Sequence, residues 1–338
     1  AGAPATLKDA DGNPTTAWLL EQESRHWDTG HNFWLPISAA KEADPADFMF
    51  YAVLGLSIFF FVGITFFVVY FTIKYRHRPG HKAQPSPAHN DAMEITWTVI
   101  PTIICVFLFL GGWKGYLEFT SEKSNPMVID VTAQKWHWNF TYPDGTQDGN
   151  LHVPVGQPIR MRMTSVDVLH SFYVPAFRVK QDVVPRRYTY VQFTPTRPGV
   201  YRLYCAEYCG DDHSQMKVKV FVHEAGGYER FLSEKASLSQ SMSPEETGLY
   251  VYNKKGCVAC HSVDGSPKVG PSWKGIWNEQ VKLADGTTIT VDDQYIKDSV
   301  LEPQKQARPG YPPSMPSFAG QLSEREIAGV IAYIKSLK

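Results

Sequence analysis

Gly256-Cys257-Val258-Ala259-Cys260-His261 places two thiols and an imidazole at C-x-x-C-H spacing. Such a run can add both thiols across the vinyl groups of a haem and offer the adjacent histidine to the iron. A bare C-x-x-C would suit zinc or thiol redox chemistry equally well, and the appended histidine narrows the reading to covalent haem c. Only the sixth iron position must then come from elsewhere. Met315, held between Pro313 and Pro316, is the only methionine beyond Cys260. Thioether ligation raises the haem potential relative to bis-histidine ligation and suits an electron carrier. His261 and Met315 are therefore the expected axial pair; loop packing is the plainer role for Met315.

A second constellation is Cys205-Ala206-Glu207-Tyr208-Cys209-Gly210-Asp211-Asp212-His213-Ser214-Gln215-Met216. Soft sulfur combined with imidazole selects copper, and a second thiolate allows two metals to be bridged. His170, in Val168-Leu169-His170-Ser171-Phe172, can close the set from an earlier loop. Three other readings stay open at this point. Cys205 and Cys209 can form a disulfide in an oxidising compartment, and two thiolates with two imidazoles can bind zinc. The spacing is also that of one helix face, although Gly210 and the flanking strand patterns speak against it.

The elements that must position these groups differ along the chain. The 338 residues allow two or three domains. A net charge of -1 gives no electrostatic reason to expect nucleic acid. Of five cysteines, four form the two close pairs, and Cys105 sits in an apolar run where it packs. Phe48 to Ile73 carries no charged side chain and is long enough to cross a hydrocarbon core of about 30 Å. A second uncharged stretch, Ile95 to Trp113, is close to the minimum span, and Pro101 within it is tolerable. Tyr70, Tyr75, Trp97, Trp113 and Tyr116 fall near the span ends, where amphipathic rings favour the interface. Two spans put both termini on one side. Lys74, Arg76, Arg78 and Lys82 direct the connecting loop to the cytoplasm, although Lys41, Lys114 and Lys123 flank the other side. Haem c attachment places the later domains in the periplasm or its equivalent. No apolar leader follows Ala1, as expected of a processed exported protein.

Beyond Pro126 the texture turns to short β-rich runs: 127–131, 158–163, 188–193, 200–204 and 217–222. Turn signals such as Pro143-Asp144-Gly145 separate them, which predicts an antiparallel sandwich or barrel. Residues 228–243 are rich in Ser, Glu and Lys and read as a linker. Ser243-Pro244-Glu245-Glu246 and Ser323-Glu324-Arg325-Glu326 are capping boxes, the second followed by an apolar stripe from Ile327 to Leu337. Helix, haem motif, long loop and terminal helix is a layout resembling a small cytochrome c.

The copper-loop motif, the upstream D-V-L-H-S-F and Glu94-Ile95-Thr96-Trp97 with Pro101 resemble subunit II of haem–copper cytochrome c oxidases. The likeness covers about residues 45–225, with a cytochrome c domain behind it as in the caa3 type. It implies five parts: an outer segment 1–44, a transmembrane α-helical hairpin 45–124, an all-β cupredoxin-like sandwich 125–228, a linker 229–243 and an all-α cytochrome c domain 244–338. In the binuclear CuA centre it implies, Cys205 and Cys209 bridge the coppers, His170 and His213 bind terminally, Met216 binds weakly and Glu207 binds through its carbonyl. The Glu207 side chain would help hold a magnesium ion against subunit I. Glu94 resembles the family carboxylate at the mouth of a proton channel; a lone carboxylate at a helix start is otherwise usually solvated. Gln134-Lys135-Trp136-His137-Trp138 resembles the electron-input patch, with Trp136 at its key tryptophan, against ordinary sheet core as the plainer reading. His137 replaces an aromatic residue usual in the family, which fits a chain carrying its own haem. In residues 1–44, which match nothing recognised, His26, Trp27, His31 and Trp34 read as interfacial anchors.

The function expected is the electron-accepting subunit of a terminal oxidase in a bacterial inner membrane. Electrons would pass from an external donor through haem c and CuA to haem a of subunit I, where oxygen reduction at haem a3–CuB drives proton translocation. Two spans without an internal histidine cannot hold the oxygen chemistry themselves, so this chain alone would only transfer electrons. Subunits I and III, membrane lipid and a donor (a cytochrome c, a cupredoxin or a quinol-oxidising complex) are the expected partners. The rival reading is a membrane-anchored copper-binding or assembly protein with a fused cytochrome, outside any oxidase.

Overall fold

The computed structural model describes residues 7–8, 14–25, 33–80, 82 and 87–338. It opens with two-residue strands β1 (Leu7–Lys8) and β2 (Pro14–Thr15), then helix α1 (Ala17–Ser24). Thr16 caps α1 by accepting from the Leu19 N–H at 3.3 Å. Leu19 is buried and Trp18 stacks on His223, with ring centroids 5.8 Å apart. Among the expected interfacial anchors, Trp34 is exposed, and His26, Trp27 and His31 lie outside the described residues.

The uncharged runs form α2 (Ala43–Lys74) and α3 (Asp91–Thr120), each extending past its apolar centre. Both are long and apolar enough to cross a membrane. Large side chains such as Phe59 and Phe107 stand exposed along them, as lipid-facing surface requires. Asn90 caps α3 by accepting from the Met93 N–H at 3.2 Å. Glu94 closes the same turn, its Oε1 accepting from the Asn90 N–H at 3.1 Å. Residues 41–122 form one compact unit, and residues 1–40 with 123–338 form the other.

In the second unit ten strands make two five-stranded sheets. One holds β3 (Met127–Gln134), β4 (His137–Thr141), β5 (Gln147–Asp148), β7 (Ile159–Ser165) and β10 (Thr189–Phe193), in the order β10-β7-β3-β4-β5. The other holds β6 (Leu151–Pro154), β8 (His170–Val174), β9 (Val179–Val183), β11 (Gly199–Cys205) and β12 (Lys217–His223), in the order β6-β12-β11-β8-β9. Alternation drives this folding: Ile129, Val131 and Ala133 of β3 are buried, as are Ile159, Met161 and Met163 of β7. Trp138 of the first sheet meets Phe172 of the second edge to face at 6.0 Å. The sheets are mixed rather than antiparallel throughout, because β3 pairs parallel with β7 and β6 with β12. Parallel partners need a crossover, and the visit of β6 to the opposite sheet supplies one between β3 and β7.

The stretch expected as a linker is helical, α4 (Gly227–Ser241). Its polar composition hides Tyr228, Phe231 and Leu238, which are buried on one side, with Phe231 stacked on His152 at 3.8 Å between centroids. Helix α5 (Pro244–Lys254) and a single turn α6 (Cys257–Cys260) follow. The expected long loop contains a hairpin, β13 (Gln280–Lys282) with β14 (Thr288–Thr290), and helix α7 (Asp293–Leu301), before α8 (Glu324–Ser336). Both capping boxes are present, at Ser243/Glu246 and Ser323/Glu326. Helices α5 and α8 cross at Gly248 and Gly329, where a Cβ on Gly329 would fall 2.9 Å from the Gly248 amide nitrogen. Only glycine lets the two backbones approach so closely.

Candidate functional site

The copper-loop residues converge at one end of the sandwich. His170 begins β8 rather than lying in a loop, and Cys205 ends β11, the strand that pairs with β8 through Cys205 and Phe172. The loop after β11 then turns back through a 3-10 turn at His213–Gln215 and returns as β12. The Sγ atoms of Cys205 and Cys209 are 3.8 Å apart. That distance is far beyond a disulfide bond, so the disulfide alternative gives way to two free thiols. Cys205 Sγ lies 3.8 Å from His170 Nδ1 and 3.2 Å from the Glu207 carbonyl oxygen. Cys209 Sγ lies 3.4 Å from His213 Nδ1 and 3.9 Å from Met216 Sδ. All six expected ligands therefore face one small volume, and the ligand atoms of His170, Cys205 and Cys209 lie within 4.8 Å of one another. A helix face is ruled out.

Electrostatics suit a metal. Burial pushes the Cys205 thiol up, but hydrogen bonding to His170 and the backbone outweighs it and holds it below the usual thiol value. Burial and the adjacent Cys205 push Cys209 above it. The pair gives up its first proton readily and holds the second, which a cation would displace. Asp167, to which the sequence reading gave no role, orients the first histidine. Its Oδ1 accepts from His170 Nε2–H at 2.8 Å, leaving Nδ1 toward the sulfurs. Asp167 also accepts from the backbone N–H groups of Val168 and Lys135, both at 2.7 Å. An aspartate three residues before a candidate histidine ligand was the available clue.

The haem motif lines a cleft with about 1330 Å³ of empty space, its open mouth included. Cys257, Cys260 and His261 occupy the cleft wall together with Met315. His261 Nδ1–H donates to the Pro271 carbonyl at 2.7 Å, so Nε2 is the nitrogen left for an iron. Burial holds the His261 pKa below its usual value, favouring the neutral ligating form. Tyr252 Oη donates to the His261 carbonyl at 2.8 Å and fixes the backbone behind the ring. A Cβ on Gly270 would fall 2.6 Å from His261 Cε1, so this position must stay bare for the ring to sit there. Two unpaired thiols, an imidazole with one nitrogen engaged and a largely apolar cleft fit a covalently held haem.

Of the other expected residues, Trp136 is not on a strand with Trp138. It lies in the turn between β3 and β4, while Trp138 is fully buried in β4. A Cβ on Gly210 would touch the Trp136 ring at 3.2 Å, which puts that ring beside the copper loop. Glu94 lies on the hairpin unit as a helix-capping side chain. The Glu207 side chain is half-buried.

Three family models match the chain in order. "Cytochrome C oxidase subunit II, transmembrane domain" matches residues 28–112, "Cytochrome C oxidase subunit II, periplasmic domain" residues 145–222 and "Cytochrome c" residues 246–338. Cytochrome c oxidase subunit 2 of Alkalihalophilus pseudofirmus is 30% identical over 302 residues, covering 85% of this chain and 86% of that protein. Alternative cytochrome c oxidase subunit 2 of Bradyrhizobium diazoefficiens is 30% identical over 214 residues, covering 54% of this chain and 76% of its own. The crystal structure of the periplasmic domain of subunit II of the Bradyrhizobium japonicum cytochrome oxidase is 28% identical, with a TM-score of 0.32, over 36% of this chain and 99% of that one.

Proposed function

The chain belongs to the cytochrome c oxidase subunit II family, with a cytochrome c segment fused behind the copper domain as fits the caa3 type, and from that membership we propose which residues do its work. It is a membrane protein and a subunit of an oxidoreductase, and the rival reading of a free-standing copper carrier is not favoured. Copper and haem c are the cofactors its families imply. Each supplies storage for single electrons when bound.

We assign the copper pair to His170, Cys205, Glu207, Cys209, His213 and Met216. The observation that carries the assignment is the sulfur-centred cluster, in which each thiol faces its own imidazole at 3.8 and 3.4 Å. The thiolates would bridge, the imidazoles would cap the two ends, and the buried Met216 thioether and Glu207 carbonyl would complete the set. Cys257 and Cys260 would carry the haem, with His261 Nε2 and Met315 Sδ as axial ligands. Burial of His170, Cys205, Cys209, Met216 and His261 keeps water from that part of each site, so little there need rearrange when charge arrives.

Finer roles belong to the same reading. The Glu207 side chain would share a magnesium ion with subunit I, Glu94 would lie at the mouth of a proton channel, and Trp136 would conduct between donor and copper. Both termini and the metal-binding region would face the periplasm of a bacterial inner membrane. Subunits I and III and an external donor would be the partners, electrons leaving copper for haem a. Metal and haem analysis of purified protein tests the assignment: two coppers and one haem c per chain are expected, with a mixed-valence dicopper spectrum. Cys205→Ser should abolish the copper signal alone and Cys257→Ser should weaken haem attachment alone. A single copper per chain, or a haem removed by acid–acetone, overturns it.

A further inference from the structure

Between the two cofactor sites runs a polar seam to which the oxidase reading gives no role. Lys255, two residues before Cys257, is only 5% exposed. Lysine is almost never buried without partners, because an unpaired ammonium in low dielectric is strongly unfavourable. Here the partners come from the sandwich. Lys255 Nζ donates to Asn139 Oδ1 of β4 at 3.1 Å and to Gln147 Oε1 of β5. The Lys255 carbonyl accepts from Gln134 Nε2, at the end of β3, at 3.5 Å.

Close backbone contacts continue the seam on either side. A Cβ on Gly256 would fall 3.0 Å from His137 Cβ, and one on Gly149 would fall 3.2 Å from the His137 ring and 3.5 Å from the Lys254 carbonyl oxygen. The β3–β4 turn thus touches the haem-attachment segment through Gln134 and His137, and the copper loop through Trp136 against Gly210. Gln134 and Lys135 also line the cleft that holds Cys257 and Cys260.

We propose that Lys255 is a positioning residue for electron transfer within the chain. Its buried ammonium, held by Asn139 and Gln147, seats the haem-attachment segment on the β3–β4 turn, so that one fixed arrangement, and not a swinging domain, links the two sites. The transfer it serves moves one electron: the haem iron goes from ferrous to ferric, the mixed-valence copper pair becomes fully cuprous, and no proton or bond is exchanged. The inference rests on the ligand assignment made above.

The test uses the whole oxidase. Lys255→Met removes the ammonium while keeping the chain length, and Gln147→Met removes an acceptor from the opposite wall without touching the haem segment. Flash reduction of haem c, followed by the appearance of reduced copper, gives the internal rate. Photoreduction of copper by a small ruthenium complex bypasses the haem, and amide hydrogen exchange over residues 137–149 and 250–256 reports the seam. The internal rate should fall about tenfold in each variant, the factor corresponding to one lost charged hydrogen bond. Direct copper reduction and both midpoint potentials should stay at wild-type values, and exchange along the seam should quicken. The double variant should be no slower than Lys255→Met alone. An unchanged internal rate, a slower one accompanied by a shifted haem potential, or additive slowing in the double variant would overturn the proposal. If Lys255→Met fails to fold, Gln147→Met decides the matter. Absence of the dicopper or haem c spectrum in the unmodified oxidase would sink the ligand assignment instead, which keeps the two failures apart.

Discussion

Removing Asp167 tests whether the copper loop depends on a group outside its ligands. Asp167 ties its own segment to the β3–β4 turn: it holds the His170 ring at 2.8 Å, the Val168 N–H at 2.7 Å and the Lys135 N–H at 2.7 Å. Asp167→Ala frees the His170 ring to rotate and leaves two backbone donors unpaired in a half-buried site. Outer partners of metal ligands typically change affinity about 10- to 100-fold, or about 1.4–2.7 kcal/mol. Asp167→Asn keeps an acceptor but loses the charge, so it should fall between alanine and wild type. Purified oxidase titrated with a copper chelator, with the dicopper EPR signal as readout and haem c absorbance as internal standard, measures this. Copper should leave the alanine variant at chelator concentrations about 10- to 100-fold lower than for wild type. An alanine variant that keeps its copper as wild type does would refute the orienting role, and parallel loss of the haem band would point to general unfolding instead.

Other outcomes follow from neighbouring features. Gly248→Ala drives a methyl into the Gly329 backbone and Tyr333, so overpacking of about 1–3 kcal/mol or more is expected as a lower midpoint for denaturant loss of the haem spectrum. Met315→His should lower the haem c midpoint potential in a redox titration, since thioether ligation raises it, and an unchanged potential would remove Met315 from the iron. Burial and Arg25 push His223 down to about 4, and burial with the Lys255 charge pushes His137 down to about 3. Both lie below the usual 6.5, so between pH 6.5 and about 4 the unfolded chain binds more protons than the folded one. Stability is therefore lost as pH falls through that window, by about 1.4 kcal/mol per pH unit for each group. Unfolding midpoints of the detergent-solubilised chain should drop accordingly, His223→Phe should reduce the slope, and a flat profile would contradict neutral burial.

What was legible in the sequence was local. C-x-x-C-H, the copper loop and both capping boxes each lie within a dozen residues, so spacing alone conveys their geometry. The membrane helices were equally legible, because an uncharged run needs no tertiary context. What stayed hidden depends on partners distant in sequence. Helix α4 reads as polar until β6 and β12 supply His152 and His223 as the surface on which Phe231 stacks. The parallel pairs β3–β7 and β6–β12 depend on which sheet β6 joins, which no run of residues specifies. Asp167 and Lys255 have no role that the sequence alone assigns, and only folding turns one toward a ligand and buries the other.

The bare-backbone crossing of α5 and α8 bears on the order of maturation. Ribosomes deliver α5 first and Cys257 and Cys260 next, whereas α8 emerges only after the entire intervening stretch. Until α8 arrives to lie against Gly248, the cleft around Cys257 and Cys260 lacks the wall that Val330 and Ile334 supply. Docking of this late helix is therefore the step that closes the cleft, and it follows the emergence of both cysteines.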